Sequence, residues 1–346
     1  MALYNRINGK ELKEKLKLSD EQRTTISFYK YHYIIDPGAF RNELYKLLDQ
    51  IQVLGRIYVA QEGINAQISV PSSQLDHFRI QLFRIDFLDG VRLNIAVDDN
   101  GKSFFKLKIL VRKKIVADGL NDETFDVTNC GVHVDANQFN QLAENPDTVI
   151  VDMRNHYESE VGHFKNAICP DVDTFREELK VVGELLAEQK NKNLLMYCTG
   201  GIRCEKASAW FKHIGFKNVF QLNGGIIKYA QEVKEQGLEN HFVGKNFVFD
   251  ERLGERISND IISVCHQCGN PCDNHTNCMN DGCHLLFIQC EECAVKYSEC
   301  CSPECAEIFA MPVEKQKEIR KGINKGRQVF KKGRSENIVF KPIHQA

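Results

Sequence analysis

Ten of the fourteen cysteines in this 346-residue chain fall between Cys265 and Cys305, and that crowding limits what its last third can fold into. They run Cys265-x2-Cys268-x3-Cys272-x5-Cys278-x4-Cys283, then Cys290-x2-Cys293-x6-Cys300-Cys301-x3-Cys305, with His266, His275 and His284 among them. So short and polar a segment needs a metal or crosslinks to hold a fold. The pairs Cys265/Cys268 and Cys290/Cys293 leave 21 residues between them, close to zinc-ribbon spacing. One or two tetrahedral zinc sites are expected, with Cys265, Cys268, Cys290 and Cys293 as the first candidate ligands; an iron–sulfur cluster is the alternative. Disulfides would suit an exported chain, but Met1-Ala2-Leu3-Tyr4-Asn5-Arg6 lacks the apolar segment of a signal peptide. No apolar run approaches the ~20 residues that span a bilayer. The expectation is a cytoplasmic protein with no membrane partner.

Length points to two or three domains. Residues 1–23 read as an extension. Over 24–116, a strand-like run at Ile26–Ile34 precedes a helix opened by Asp36-Pro37, with Phe40, Leu44, Leu47 and Leu48 at helical spacing. Gly55–Ala60 and Ala66–Val70 then form a hairpin around Gln61-Glu62-Gly63-Ile64-Asn65, a second helix starts near Pro71-Ser72, and a strand lies near Val91–Val97. The order β-α-β-β-α-β predicts a ferredoxin-like α+β domain. Residues 117–136 read as a linker. Over 137–241, apolar strands such as Thr148–Val151 and Asn193–Tyr197 alternate with amphipathic helices, predicting an α/β domain around a parallel sheet. Residues 242–312 form the cysteine-rich region, and 313–346 a basic tail. The whole is an α/β multidomain chain.

One loop carries chemistry. The strand ending at Tyr197 runs into Cys198-Thr199-Gly200-Gly201-Ile202-Arg203, with a helix following from about Cys204. Two glycines let the backbone curl so that its N–H groups converge, and the helix N-terminus adds positive potential. Thr199, Gly200, Gly201 and Ile202 are read as an anion cradle and Arg203 as a fixed charge closing it. Such surroundings lower a thiol pKa from ~8.5 and populate the thiolate; the cradle equally suits a persulfide. The alternative is an inert, packed cysteine. Cys204 is placed to resolve an oxidised Cys198, or is a packed thiol.

Val151-Asp152-Met153-Arg154, Gly162-His163-Phe164-Lys165-Asn166-Ala167 and Leu222-Asn223-Gly224-Gly225 surround this loop in order. Together with C-x-x-G-x-R they resemble the rhodanese family, which implies that Cys198 is the sulfur-carrying nucleophile. Asp152 and Arg154 are expected to order the strand end, and His163 a turn. With Glu62-Gly63-Ile64-Asn65 upstream, the loop CTGGIRCEK and the cysteine-rich end, the chain resembles the tRNA uridine hydroxylase family over nearly its whole length. That resemblance implies oxygen-dependent formation of 5-hydroxyuridine at wobble position 34, with tRNA as partner and molecular oxygen as co-substrate. A persulfide would also need a sulfur donor, protein or small molecule. No G-x-G-x-x-G fingerprint for a nucleotide cofactor and no two-histidine-one-carboxylate iron set is seen. The alternatives are a plain thiosulfate or persulfide sulfurtransferase, and a zinc-stabilised RNA-binding module with a docking rhodanese domain.

A formal net charge of −2 exerts no global pull on nucleic acid, so any RNA footprint must be local. Lys102, Lys106, Lys108, Arg112, Lys113 and Lys114 form an acid-free run, with Phe104 and Phe105 inside it as candidate stacking rings. The tail adds Lys315, Lys317, Arg320, Lys321, Lys325, Arg327, Lys331, Lys332 and Arg334. A solvated helix face with a disordered tail is the alternative for these charges.

Overall fold

The computed structural model describes residues 7–322. After helix α1 (Gly9–Leu18) come β1 (Arg23–Tyr31), α2 (Pro37–Gln50), β2 (Leu54–Ala60), β3 (Gly63–Pro71), α3 (Leu75–Phe83), β4 (Asn94–Ile95) and β5 (Leu107–Val111). Asp36 caps α2 by accepting from the N–H groups of Gly38 and Ala39 at 2.9 Å, and Pro37 supplies the preset first helical φ. The sheet order is β4-β1-β3-β2-β5, antiparallel except for β5, which runs parallel to β2. The first four strands follow the ferredoxin-like order expected.

Strand alternation divides this sheet's two faces. Ile26, Phe28, Ile57, Ile64, Ala66 and Ile68 point into a core closed by Leu44 and Leu48 of α2 and Phe78 and Leu82 of α3. The opposite face carries Ser27, Tyr29, Arg56, Tyr58, Asn65 and Gln67 and turns toward the next domain.

Several expectations change here. Only Gln61-Glu62 form the hairpin turn, because Gly63, Ile64 and Asn65 already pair with β1 and β2. The strand near Val91–Val97 shrinks to Asn94–Ile95. The basic run is partly a strand: Leu107 and Ile109 are core residues of β5, and Phe104 is buried rather than free to stack. Lys13 lies 5.0 Å from the centre of the Phe105 ring. Lys102 donates to the carbonyls of Leu16 and Ser19 at 2.6 Å, stopping α1, and Lys114 donates to Asp118 and the Leu120 carbonyl. Lys106, Lys108, Arg112 and Lys113 remain as the half-exposed or exposed charges of that run.

The second domain comprises β6 (Val132–Val134), α4 (Ala136–Ala143), β7 (Thr148–Asp152), α5 (His156–Ser159), β8 (Gly162–Phe164), α6 (Phe175–Leu185), β9 (Asn193–Tyr197), α7 (Ile202–His213), β10 (Asn218–Leu222) and α8 (Gly225–Gln236). β6, β10, β9 and β7 form a parallel sheet in that order. Val151, Leu194 and Met196 pack beneath α6 and α7, while Ile150, Leu195 and Tyr197 pack beneath α4 and α8. Period-two alternation thus fills both layers. The stretch read as a linker, 117–136, contains β6, whose three residues are too few to show a period.

The last region holds β11 (Phe242–Asn246), β12 (Glu255–Arg256), β13 (His275–Asn277), β14 (Leu286–Ile288), α9 (Glu291–Tyr297), α10 (Pro303–Ala310) and α11 (Val313–Arg320). β11 pairs with β8, so the boundary placed at 242 falls at a sheet shared with the second domain. Lys315, Lys317 and Arg320 lie on α11 and Lys321 caps it, whereas Lys325, Arg327, Lys331, Lys332 and Arg334 fall outside the described residues. No helix among the described residues is long and apolar enough to cross a membrane.

Candidate active site

Cys198 follows the last residue of β9 and is buried, with Gly201 as the N-cap of α7. Gly201 has φ 97°, a left-handed conformation open to glycine, and its N–H donates to Cys198 Sγ at 3.2 Å. The N–H groups of Arg203 and Cys204 also point at the sulfur. Burial pushes the thiol pKa up, but the Cys204 thiol, the Arg203 charge and these backbone donors outweigh it and hold Cys198 at about 6. Burial and the neighbouring thiolate raise Cys204 well above the usual thiol range, so Cys204 stays protonated and donates.

Gly224-Gly225 holds the loop from behind. The N–H groups of Ile226 and Ile227 donate to the carbonyls of Cys198 and Thr199 at 3.0 and 3.2 Å. A Cβ on Gly225 would lie 2.4 Å from the Cys198 carbonyl oxygen, so only glycine permits this approach.

Arg203 has a buried partner. Its guanidinium makes a two-pronged pair with buried Glu158 at 2.6 and 2.8 Å and reaches Thr199 Oγ1 at 3.3 Å. The pair fixes the guanidinium at the loop, from where its charge also lowers the Cys198 pKa. Glu158 follows the Asp152–Arg154 segment in the rhodanese-like pattern, but sequence reasoning gave it no role because 45 residues separate the partners. Asp152 and Arg154 form a second buried two-pronged pair, at 2.8 and 2.6 Å, and Arg154 also donates to the Gly162 carbonyl. His163 Nδ1 lies 3.0 Å from the Phe164 carbonyl, at the strand end. Glu178 on α6 is fully buried with neither carboxyl oxygen hydrogen-bonded among the described residues; burial raises its pKa well above the carboxylate range, so it is protonated.

A cavity of about 410 Å³ opens over Cys198. The loop 198–203 forms one wall, Phe249 and Arg252 of the last region a second, and the exposed sheet face of the first domain a third. Contacts between domains hold this geometry. Asn94 donates to the Gly200 carbonyl at 3.4 Å and Tyr29 to Glu205 at 3.2 Å. Lys206, also on α7, is 1% exposed and pairs with Glu62 at 2.8 Å and Asp118 at 2.6 Å. Glu62 also accepts from the Ile115 N–H at 2.7 Å. The Glu62 turn is thus a clamp between domains, and no local pattern announces it because 144 residues separate Lys206 from Glu62.

In the last region the thiols gather into two quartets, Cys265/Cys268/Cys290/Cys293 and Cys278/Cys283/Cys301/Cys305, each within 4.8 Å of one another. Sγ–Sγ separations of 3.6 Å for Cys268–Cys290 and 3.7 Å for Cys283–Cys301 and Cys301–Cys305 match the edge of about 3.8 Å of a tetrahedral site with ~2.3 Å metal–sulfur bonds. Both quartets fit a metal. The second had no assignment from spacing alone. His266 is engaged by Glu160 and the Ile288 N–H, outside both sets.

Comparison with known proteins agrees domain by domain. Residues 23–115 match the UPF0176 acylphosphatase like domain, 135–232 the rhodanese-like domain and 243–306 the rhodanase C-terminal family. A protein of Pectobacterium carotovorum named tRNA uridine(34) hydroxylase is 58% identical over 99% of this chain and 96% of its own length. Proteins of that name from Photorhabdus laumondii and Escherichia fergusonii are 57% and 56% identical over 96% of this chain and 95% of their own length. The chain belongs to the tRNA uridine(34) hydroxylase family. Within this family the cavity over Cys198 is the candidate reaction site, since it joins all three regions around one activated thiol.

Proposed function

We propose that this protein catalyses oxygen-dependent 5-hydroxylation of uridine 34 in tRNA, with Cys198 as its essential group. The observation that carries this reading is the Cys198 thiolate, cradled by backbone N–H groups at the base of a cavity large enough for a nucleoside. Loop, Glu158–Arg203 pair and protonated Cys204 keep the sulfur anionic and oriented; the Lys206 clamp holds the facing wall. Molecular oxygen, the co-substrate, supplies the new C5 oxygen, and its second atom leaves as water with two protons and two electrons from an external two-electron reductant. The cradle also accommodates the terminal sulfur of a persulfide, which a protein or small-molecule donor would load. The two thiol quartets are read as structural zinc sites, and the working partition is extension, ferredoxin-like domain, rhodanese domain, metal module and basic tail. Its place is the cytoplasm, with tRNA.

A plain sulfurtransferase is not favoured, because it has no use for a nucleoside-sized cavity walled by three regions. A docking module is not favoured either, because docking needs no depressed thiol pKa. Nucleoside mass spectrometry on tRNA from deletion cells complemented with wild type or Cys198→Ala tests the proposal. Wild type alone should restore 5-hydroxyuridine. Restoration by Cys198→Ala, or by neither with thiosulfate sulfur transfer intact, would overturn it.

A further inference from the structure

The sheet of the first domain presents one continuous rung of side chains that begins at the catalytic loop. Asn94 on β4 pairs in register with Ser27 on β1, Ser27 with Gln67 on β3, Gln67 with Arg56 on β2, and Arg56 with Lys108 on β5. At about 4.8 Å per strand the rung covers about 19 Å. Its inner end touches the loop: Asn94 donates to the Gly200 carbonyl, and a Cβ on Gly200 would lie 3.7 Å from Ser27 Oγ. Its outer end is positive, because Arg56, Lys106, Lys108 and Arg112 crowd together. Burial and then these like charges lower the Lys108 pKa.

Between these ends lies a carboxamide whose polarity is fixed. Asn65 Nδ2 donates to the Ile115 carbonyl at 3.3 Å, which turns Asn65 Oδ1 the other way. That oxygen accepts from Gln67 Nε2 at 2.6 Å. Gln67 Oε1 is thereby presented outward, half-buried on the cavity wall, with no donor to it among the described residues. Ser27 Oγ, next to it on the rung, is likewise buried without a partner. Tyr58, one rung away and opposite Asn65, offers a ring with Arg112 5.6 Å from its centre.

We infer that this rung is the base-reading surface of the site, with Gln67 Oε1 accepting the N3–H of the target uracil while Arg56 and Lys108 hold flanking phosphates. The inference rests on the proposed reaction at uridine 34 and adds how the base is chosen. Uracil presents a donor at N3 between two carbonyls, and cytosine presents a bare acceptor there. An outward carbonyl oxygen that cannot flip without losing the hydrogen bond to Asn65 and setting two amide oxygens face to face accepts the first and repels the second. Bases drawn from a strand are read in this manner, by hydrogen bonds on the Watson–Crick edge and by stacking on aromatic rings. The phosphate half of the rung carries no sequence information and sets affinity.

The test uses the full-length protein and two anticodon stem-loop RNAs differing only by uracil or cytosine at position 34, with binding read by fluorescence anisotropy. Wild type should prefer the uracil RNA by about tenfold or more, the range of a good base-edge contact. Gln67→Met, close in volume, and Gln67→Ala as a second variant should bring that ratio to about one while Cys198 alkylates at the wild-type rate. Arg56→Ala combined with Lys108→Ala should weaken both RNAs equally and reduce the salt slope by about two. A wild-type ratio near one, or a ratio unchanged in both Gln67 variants, overturns the inference. If wild type forms no 5-hydroxyuridine yet the ratio and its loss in Gln67→Met hold, the reaction falls and the base-reading surface stands.

Discussion

Cys198 and the cysteine quartets are the same chemical group in opposite physical settings. Cys198 is buried within an apolar core that includes Phe175, Leu179, Met196 and Phe211, and its loop backbone is pinned from behind by the Ile226 and Ile227 N–H groups, an approach Gly225 permits. Its thiolate is stabilised by peptide N–H groups that cost nothing to orient once the fold exists. The quartets sit in two smaller clusters, the first beside Tyr157, Val161, Phe247, Leu286 and Ile288 and the second beside Leu285, Phe287 and Phe309, and their sulfurs face one another. In one place the fold makes the thiolate. In the other, on the metal reading proposed above, thiolates and the ion they would bind make the fold, leaving those eight cysteines committed as ligands.

The largest expected effect breaks the second half of that contrast. A strong chelator should remove structural metal whose binding is worth on the order of 10 kcal/mol to such modules, and residues 263–310 should lose hydrogen-exchange protection. The sheet β6-β10-β9-β7, with its own two-layered core, should keep its protection. Unchanged protection across 263–310 in metal-free protein would show that packing alone holds the quartets.

A smaller effect tests the first half. Glu158→Gln leaves Arg203 charged, buried and uncompensated, so urea denaturation should show a loss of about 3 kcal/mol or more. The extra positive charge should also draw the Cys198 pKa below its wild-type value. No change in either would mean that Arg203 relaxes to solvent and the pair is incidental.

The smallest sharpens the contrast without changing the protein. Because the folded Cys198 pKa lies at about 6, below the unfolded value of about 8.5, the thiolate contributes stability above the unfolded value and loses it as pH falls through 6. The iodoacetamide rate at Cys198 should fall about tenfold per unit below pH 6 and level off above 7. A midpoint near 8.5 would place Cys198 among ordinary thiols.

Local features were legible. The strand–Cys–Gly–Gly–helix turn, the α2 cap at Asp36-Pro37 and the alternating core of the first sheet are each set by neighbours within a few residues. The pairing of two C-x2-C motifs into the first quartet was legible too, since a zinc-ribbon spacing is itself short-range. What failed was mostly a matter of distance or shortness. β5 hid inside a run of lysines because its period-two pattern has two buried members, Leu107 and Ile109. Arg203 looked like a free charge until Glu158 appeared beside it.

Taken by itself, then, the sequence set out the chemistry expected of the Cys198 loop, the order of the three regions and the crowding of ten cysteines into the last. These follow from backbone torsions, hydrophobic period and composition, all properties of contiguous residues. Only the tertiary structure decided which four cysteines form the second quartet, that Lys206 clamps Glu62 and Asp118, and that Asn94, Ser27, Gln67, Arg56 and Lys108 form one rung that starts at the Cys198 loop. Those depend on strand register and domain docking, where a shift of one residue turns a side chain to the other face.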